Sequence, residues 1–141
     1  MSWTFYNSNG EALVQHAESE TTQAEMEAET AVAKFVPPDL VKHSPGVAKM
    51  WIQLDGTGTV TDNGSYNVSG VVDNAVGDYT ATVDTDMTDT GRYVMVAFAE
   101  SPNVSDDAAG PNLGSMRVRT QDANDNLIDV NRLYLALLGD Q

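Results

Sequence analysis

From Ala48 onward, apolar and polar residues alternate at the period of a β-strand. In Met50-Trp-Ile-Gln-Leu54, the residues Met50, Ile52 and Leu54 fall on one side and Trp51 and Gln53 on the other, because successive strand side chains point to opposite faces. Asp55-Gly-Thr-Gly58 supplies turn chemistry. The hairpin-rich pattern continues through Ser65–Tyr79 with another turn signal over Asp73–Asp78, and Tyr79-Thr-Ala-Thr-Val83 alternates cleanly. Tyr93-Val-Met-Val-Ala-Phe-Ala99 is apolar on both sides, which predicts a central strand covered on both faces. Two prolines, two glycines and several acids predict a long loop over Glu100–Gly114. Met116, Val118 and Thr120 then alternate with Arg117 and Arg119. Asp122–Asn126 reads as a turn, Leu127-Ile128 as the start of a short strand, and Arg132–Leu138 as the last strand. Short strands with turn-rich gaps predict a mainly β fold, an antiparallel β-sandwich (jelly-roll-like) over residues 46–141.

Residues 1–45 have a different character and predict an N-terminal arm made of a ribbon, a helix and a proline-containing linker. Trp3–Tyr6 and Ala12–Val14 flank Asn7-Ser-Asn-Gly10, the chemistry of a two-stranded β-ribbon. Such a ribbon is marginal alone. Trp3, Phe5 and Tyr6 therefore either pack on this chain's own core or anchor it to another protein or a neighbouring subunit. Thr22 and Glu25 have the spacing of a capping box. Ala24, Ala28, Ala31 and Phe35 recur at helical spacing, which predicts a helix of about four turns. Val36-Pro37-Pro38 stops it, since proline lacks the donor and restricts the residue before it. The narrow alanine-rich stripe suits close approach of a neighbour in a multimer.

Charge narrows the partners. The 141 residues carry 21 acids against 7 lysines and arginines, a formal net charge of −14. Such a surface repels phosphate backbones and anionic membranes, so no nucleic acid and no membrane insertion are expected. The acidity also suits a saline habitat, where counterions screen self-repulsion. There are no cysteines, so disulfides and thiolate chemistry are excluded. The N-terminus lacks the basic and long apolar regions of a signal peptide, and no run approaches the length of a membrane span.

Candidate chemistry is sparse. His16 and His43 have no carboxylate at a telling offset, and Ser44, Ser65 and Ser115 lack a nucleophile-elbow context. Asp122, Asn124 and Asn126 place oxygen ligands at alternate positions, as a calcium loop begins, but the central glycine and the later glutamate are missing. An Asx-rich turn accounts for them, and Asp84, Asp86 and Asp89 form a similar cluster. No catalytic residue, metal site or cofactor is expected. Arg117 and Arg119, two of the few cations, share one strand face. They are either ordinary surface partners, worth about 0–1 kcal/mol per pair, or an inter-subunit contact with acids of a neighbour.

The order Ala48-Lys-Met-Trp51, Asp55-Gly-Thr-Gly-Thr59, Tyr66-Asn-Val-Ser69, Asp73-Asn74 and Gly77-Asp-Tyr-Thr80 resembles a small β domain of tailed-bacteriophage virion proteins. The resemblance covers roughly Ser44 to Gln141. It departs from the family pattern at Gly70 and at Met87-Thr88. It implies a non-enzymatic structural role in a fibre- or spike-type appendage of the virion, assembled in the host cytoplasm. The implied partners are other virion proteins and further copies of the chain, a homotrimer being the expected form. A capsid decoration protein is the structural alternative. A carbohydrate-binding β-sandwich, with Trp51 or tyrosines stacking on a host-surface glycan, is the alternative of another class, and an exposed aromatic platform would favour it.

Overall fold

The computed structural model describes residues 5–6, 8–10, 12–13, 19–91, 93–100, 103–106, 112–139 and 141. The chain divides into two compact units, Met1–Val41 and Lys42–Gln141.

In the first unit, β1 (Phe5–Tyr6) pairs antiparallel with β2 (Ala12–Leu13) around a turn containing Gly10, where φ is +76°. This is the expected ribbon. Trp3 lies outside the described residues, and for Phe5 and Tyr6 only the backbone is described. The helix is shorter than the periodicity predicts. The capping box is present: Glu25 N–H donates to Thr22 Oγ1 at 3.3 Å and Thr22 N–H to Glu25 Oε2 at 2.9 Å. Yet α1 covers only Gln23–Glu27, with Ala28 as its C-cap. Glu29 turns out of the helix at φ +53°. Glu27 and Glu29 put negative charge at the end that favours cations, and β-branched Thr30 and Val32 weaken any continuation. Ala24 alone of the predicted stripe lies inside the helix. Ala28 caps it, Ala31 lies beyond it, and Phe35 forms a parallel bridge with Glu20. The stripe therefore does not exist as a helix face.

The second unit is the predicted sandwich. One sheet has the order β4 (Thr61–Tyr66), β3 (Ala48–Asp55), β10 (Leu133–Gly139), β7 (Tyr93–Ala99). The other has the order β5 (Val68–Ala75), β6 (Asp78–Val83), β9 (Ser115–Gln121), β8 (Asn103–Asp106). All the pairings are antiparallel. Their inner faces meet in one core. Met50, Ile52, Leu54, Leu133, Leu135 and Leu137 come from the first sheet, and Tyr79, Ala81, Val83, Met116 and Val118 from the second. Met50, Ile52 and Leu54 do share the inward side, as the alternation requires.

The chain changes sheets at Asn67. This residue adopts φ +56°, a conformation asparagine tolerates better than most. Its side chain donates to Lys49 O at 2.9 Å and Thr85 O at 3.2 Å, and accepts from Thr85 N–H at 2.8 Å. A second tie lies near Tyr79. Its hydroxyl donates to Asp129 Oδ1 at 2.9 Å, and the other side of the ring's tip rests on Gly56, where a Cβ would come within 2.2 Å of the hydroxyl. Gly77 N–H donates to the same Asp129 oxygen at 2.7 Å. Burial and the neighbouring Asp129 carboxylate push the Tyr79 hydroxyl's pKa upward.

The strand layout departs from the alternation pattern in three places. Tyr93–Ala99 is an edge strand, not a central one, because β10 occupies the centre and pairs with β3 on one side and β7 on the other. The Glu100–Gly114 stretch, expected to be all loop, contains β8, four residues held to β9 by the register Asn103↔Gln121 to Asp106↔Val118. Leu127, expected to begin a strand, makes only an isolated bridge to Gln121. The backbone of Ile128 instead bonds Thr120, whose own hydroxyl donates to Ile128 O at 2.6 Å.

Candidate functional site

The two outer faces of the sandwich differ in kind. On the β5-β6-β9-β8 sheet, outward positions are mostly polar, with Val72 on the edge strand the exposed apolar exception. Asp78 stands opposite Arg119, and Thr80 opposite Arg117. Arg117 holds the Asp78 carboxylate with two bonds, Nε to Oδ1 at 2.7 Å and a terminal nitrogen to Oδ2 at 2.9 Å. Arg119 Nε adds a third at 3.1 Å, and Asn74 Nδ2 a fourth at 3.2 Å. The Asp78 side chain is only 6% exposed beneath these groups. The Arg117 guanidinium, followed by Arg119 and Asn74, lowers its pKa to about 2 against a desolvation cost that acts the other way. Arg117 and Arg119 thus have a carboxylate partner on their own chain. Replacing both strands a buried charge, so the fold itself, and not assembly alone, must feel that change.

On the β4-β3-β10-β7 sheet, outward positions are apolar and aromatic. Registers across the four strands set two rows. Tyr66, Trp51, Ala136 and Val96 form one row; Gly64, Gln53, Tyr134 and Phe98 form the next. Leu138 and Val94 continue the face beyond the first row. The pleat of β3 turns Trp51 outward while its neighbours Met50 and Ile52 are buried. Gly64 on the edge strand carries no side chain, and a Cβ there would sit 3.8 Å from the Trp51 ring. The indole thus lies close to the bare backbone of β4. Ala136, small and central, forms the floor of an open groove of about 290 Å³ lined by Trp51, Val96, Phe98 and Tyr134, with Gln53 as its polar side chain.

Comparison with known families, curated proteins and solved structures finds no match.

Trp51 is 45% exposed, Val94 63% and Phe98 68%. Isolated exposed apolar residues are ordinary, but a contiguous patch on one face marks an interaction surface. At one end the patch meets a charged row, where Arg132 lies 3.7 Å from Glu100. The sequence exposes Trp51 by simple alternation. It hides Phe98 and Tyr134, because only the register of β10 with β3 and β7 brings them beside Trp51.

The remaining predicted positions do not converge on a site. Asp122 accepts from the backbone N–H groups of Asn124 at 2.8 Å and Asn126 at 3.0 Å. That is the Asx turn, and those bonds lower its pKa, the Asn126 side chain contributing most. Among the described residues, no group of three or more metal-ligating side chains comes together.

Proposed function

We propose that this chain is a non-enzymatic structural component of a tailed-phage virion, a fibre- or spike-type appendage. In this reading the N-terminal unit attaches to the particle and the β-sandwich unit is displayed. The observation that carries it is the contrast between the two outer faces. One is mostly polar, its buried Asp78 satisfied by ion pairs within the chain, with Val72 a lone exposed apolar residue at its edge. The other presents Trp51, Tyr66, Val94, Phe98 and Tyr134 together, chemistry that is covered in an assembly of protein subunits. The resemblance of the Ala48–Thr80 motifs to virion β domains supports the same reading, with other virion proteins and further copies of the chain as partners. Capsid decoration uses the same surface and differs only in place on the particle.

The test is to image intact particles bearing an antibody label against this chain. Label along the tail or its fibres is expected. Label on the shell moves the protein to decoration, and particles lacking the chain refute the virion reading.

A second reading draws on the exposed Trp51 and Tyr134 rings beside Gln53, which form a platform on which a host-surface sugar can stack. The scarcity of polar groups in the groove favours a protein occupant over a glycan, since sugars need hydrogen-bond partners as well as rings. Glycan-array binding that is lost in Trp51→Ala would reverse that preference.

A further inference from the structure

Each edge strand of a sheet is a template for another strand, and proteins blunt such edges with charge, glycine, bulges or shortness. Three of the four edges here are blunted. β4 carries Asp62 and Gly64 and pairs through a register shift. β5 carries Gly70 and Asp73 and pairs through two shifts. β8 is four residues long and ends in Asp106. β7 has none of these devices. Its sequence, Tyr-Val-Met-Val-Ala-Phe-Ala, contains no charge, glycine or proline, and among the described residues it pairs with β10 alone, in an unbroken register. It also bears Phe98 and Val94, the two most exposed large apolar side chains among the described residues of its unit.

We propose that β7 pairs antiparallel with β7 of a second copy of this chain about a two-fold axis at Val96. The pairing rests on the strand's geometry alone and stands apart from the virion reading.

Glu100 N–H donates to Arg132 O at 3.2 Å. Hydrogen-bonded and non-bonded residues alternate along an antiparallel ladder. Phe98, Val96 and Val94 therefore turn their backbone groups toward β10. Ala99, Ala97, Met95 and Tyr93 turn theirs toward the open edge. A two-fold at Val96 sets Tyr93 against Ala99 and Met95 against Ala97, so the residues with free edge groups meet one another along the whole strand. Large then faces small on the core side, where all four are already partly buried against the core.

On the outer face, Val94 falls opposite Phe98 at both ends and Val96 opposite itself. These are the non-hydrogen-bonded positions, where side chains come closest. Aromatic against β-branched is a favourable cross-strand pair. No like charges meet within the strand. Phe98 alone brings on the order of 100–170 Å² of exposed surface. A single strand pair still falls below the roughly 800 Å² per partner of a standard interface, so the dimer is reversible and dependent on concentration. The symmetry is two-fold, in place of the trimer expected from the sequence.

The chain has no cysteine, so Val96→Cys gives one thiol per copy. At a non-hydrogen-bonded pair with Cα atoms about 4.5 Å apart, the two thiols are within disulfide reach, for which Cα separations of about 4.4–6.8 Å serve. Under mild oxidation the full chain should give a covalent dimer. Val72→Cys, on the exposed β5 edge, should not. Sedimentation across a concentration series should show the unmodified chain passing from monomer to dimer. Phe98→Lys should raise the dissociation constant about tenfold or more, as expected when a large aromatic anchor is lost from both ends of the pair, with an unchanged melting temperature at low concentration. A monomer at all concentrations, equal cross-linking from both cysteine variants, a three-fold assembly, or a dimer indifferent to Phe98→Lys would each overturn the proposal.

Discussion

Replacing Asp78 with asparagine should cost stability at neutral pH and nothing in strong acid. The carboxylate lies beneath Arg117 and Arg119 and its pKa is lowered from 3.8 to about 2. Lowering a pKa by one pH unit is worth about 1.36 kcal/mol, which caps the effect at about 2.5 kcal/mol. Both guanidinium groups are a third or more exposed, so solvent screening reduces the expectation to about 1–2 kcal/mol. The sign follows from linkage: a group with a depressed folded-state pKa stabilises the fold above its unfolded value, and that contribution fades as pH falls through the folded value. The parent protein should therefore lose its advantage over Asp78→Asn between about pH 4 and about pH 2. Urea unfolding at steps of pH, following Trp fluorescence, measures both curves. A stability difference that stays constant down to pH 2 would show that Asp78 acts through packing and not through its charge.

Gly56→Ala should destabilise the second unit by about 1–3 kcal/mol, the usual cost of overpacking, because the new methyl collides with the Tyr79 ring; thermal melts decide. Gly77→Ala should cost at least as much, since φ is +65° and backbone atoms of Ile128 and Thr120 lie within 2.7 Å of the new Cβ; Gly70→Ala, with nothing within 4 Å, is the silent control. Removing residues 1–41 should leave a folded sandwich with cooperative unfolding, checked by circular dichroism and calorimetry, because that unit has its own core. Self-association should tighten as salt is raised from about 0.01 M, where the screening length is roughly 30 Å, toward 1 M, where it is roughly 3 Å, because each copy carries −14; sedimentation in a salt series would show the opposite trend if attraction between charges dominated.

The strands that could be read from the sequence are those whose two faces differ. β3, β6 and β9 each place one apolar set against the core and one polar or exposed set outside, and their period is plain. β7 misleads because both of its faces are apolar, a pattern that ordinarily belongs to a covered central strand. Here one of those faces is an outer surface. β8 escapes because four residues with one apolar side chain, Val104, give no period to count. The helix misleads for another reason. Alanine spacing records which positions can share a face, but not the penalty of Glu27 and Glu29 at a C-terminus. The Asp78 cluster and the aromatic face were beyond reach for one shared reason: both depend on register between strands far apart in sequence.

That distance also shapes how the chain folds. Leu135 pairs with Ile52, 83 residues earlier, and β10 follows in sequence both strands it joins. During synthesis the first sheet cannot close until Leu133–Gly139 has left the ribosome, and until then β3 and β7 have no strand between them. Met50, Ile52 and Leu54 wait in the open. Closure of the core is slow because its decisive contacts are non-local, and the nascent chain is most prone to aggregate in the interval before β10 emerges.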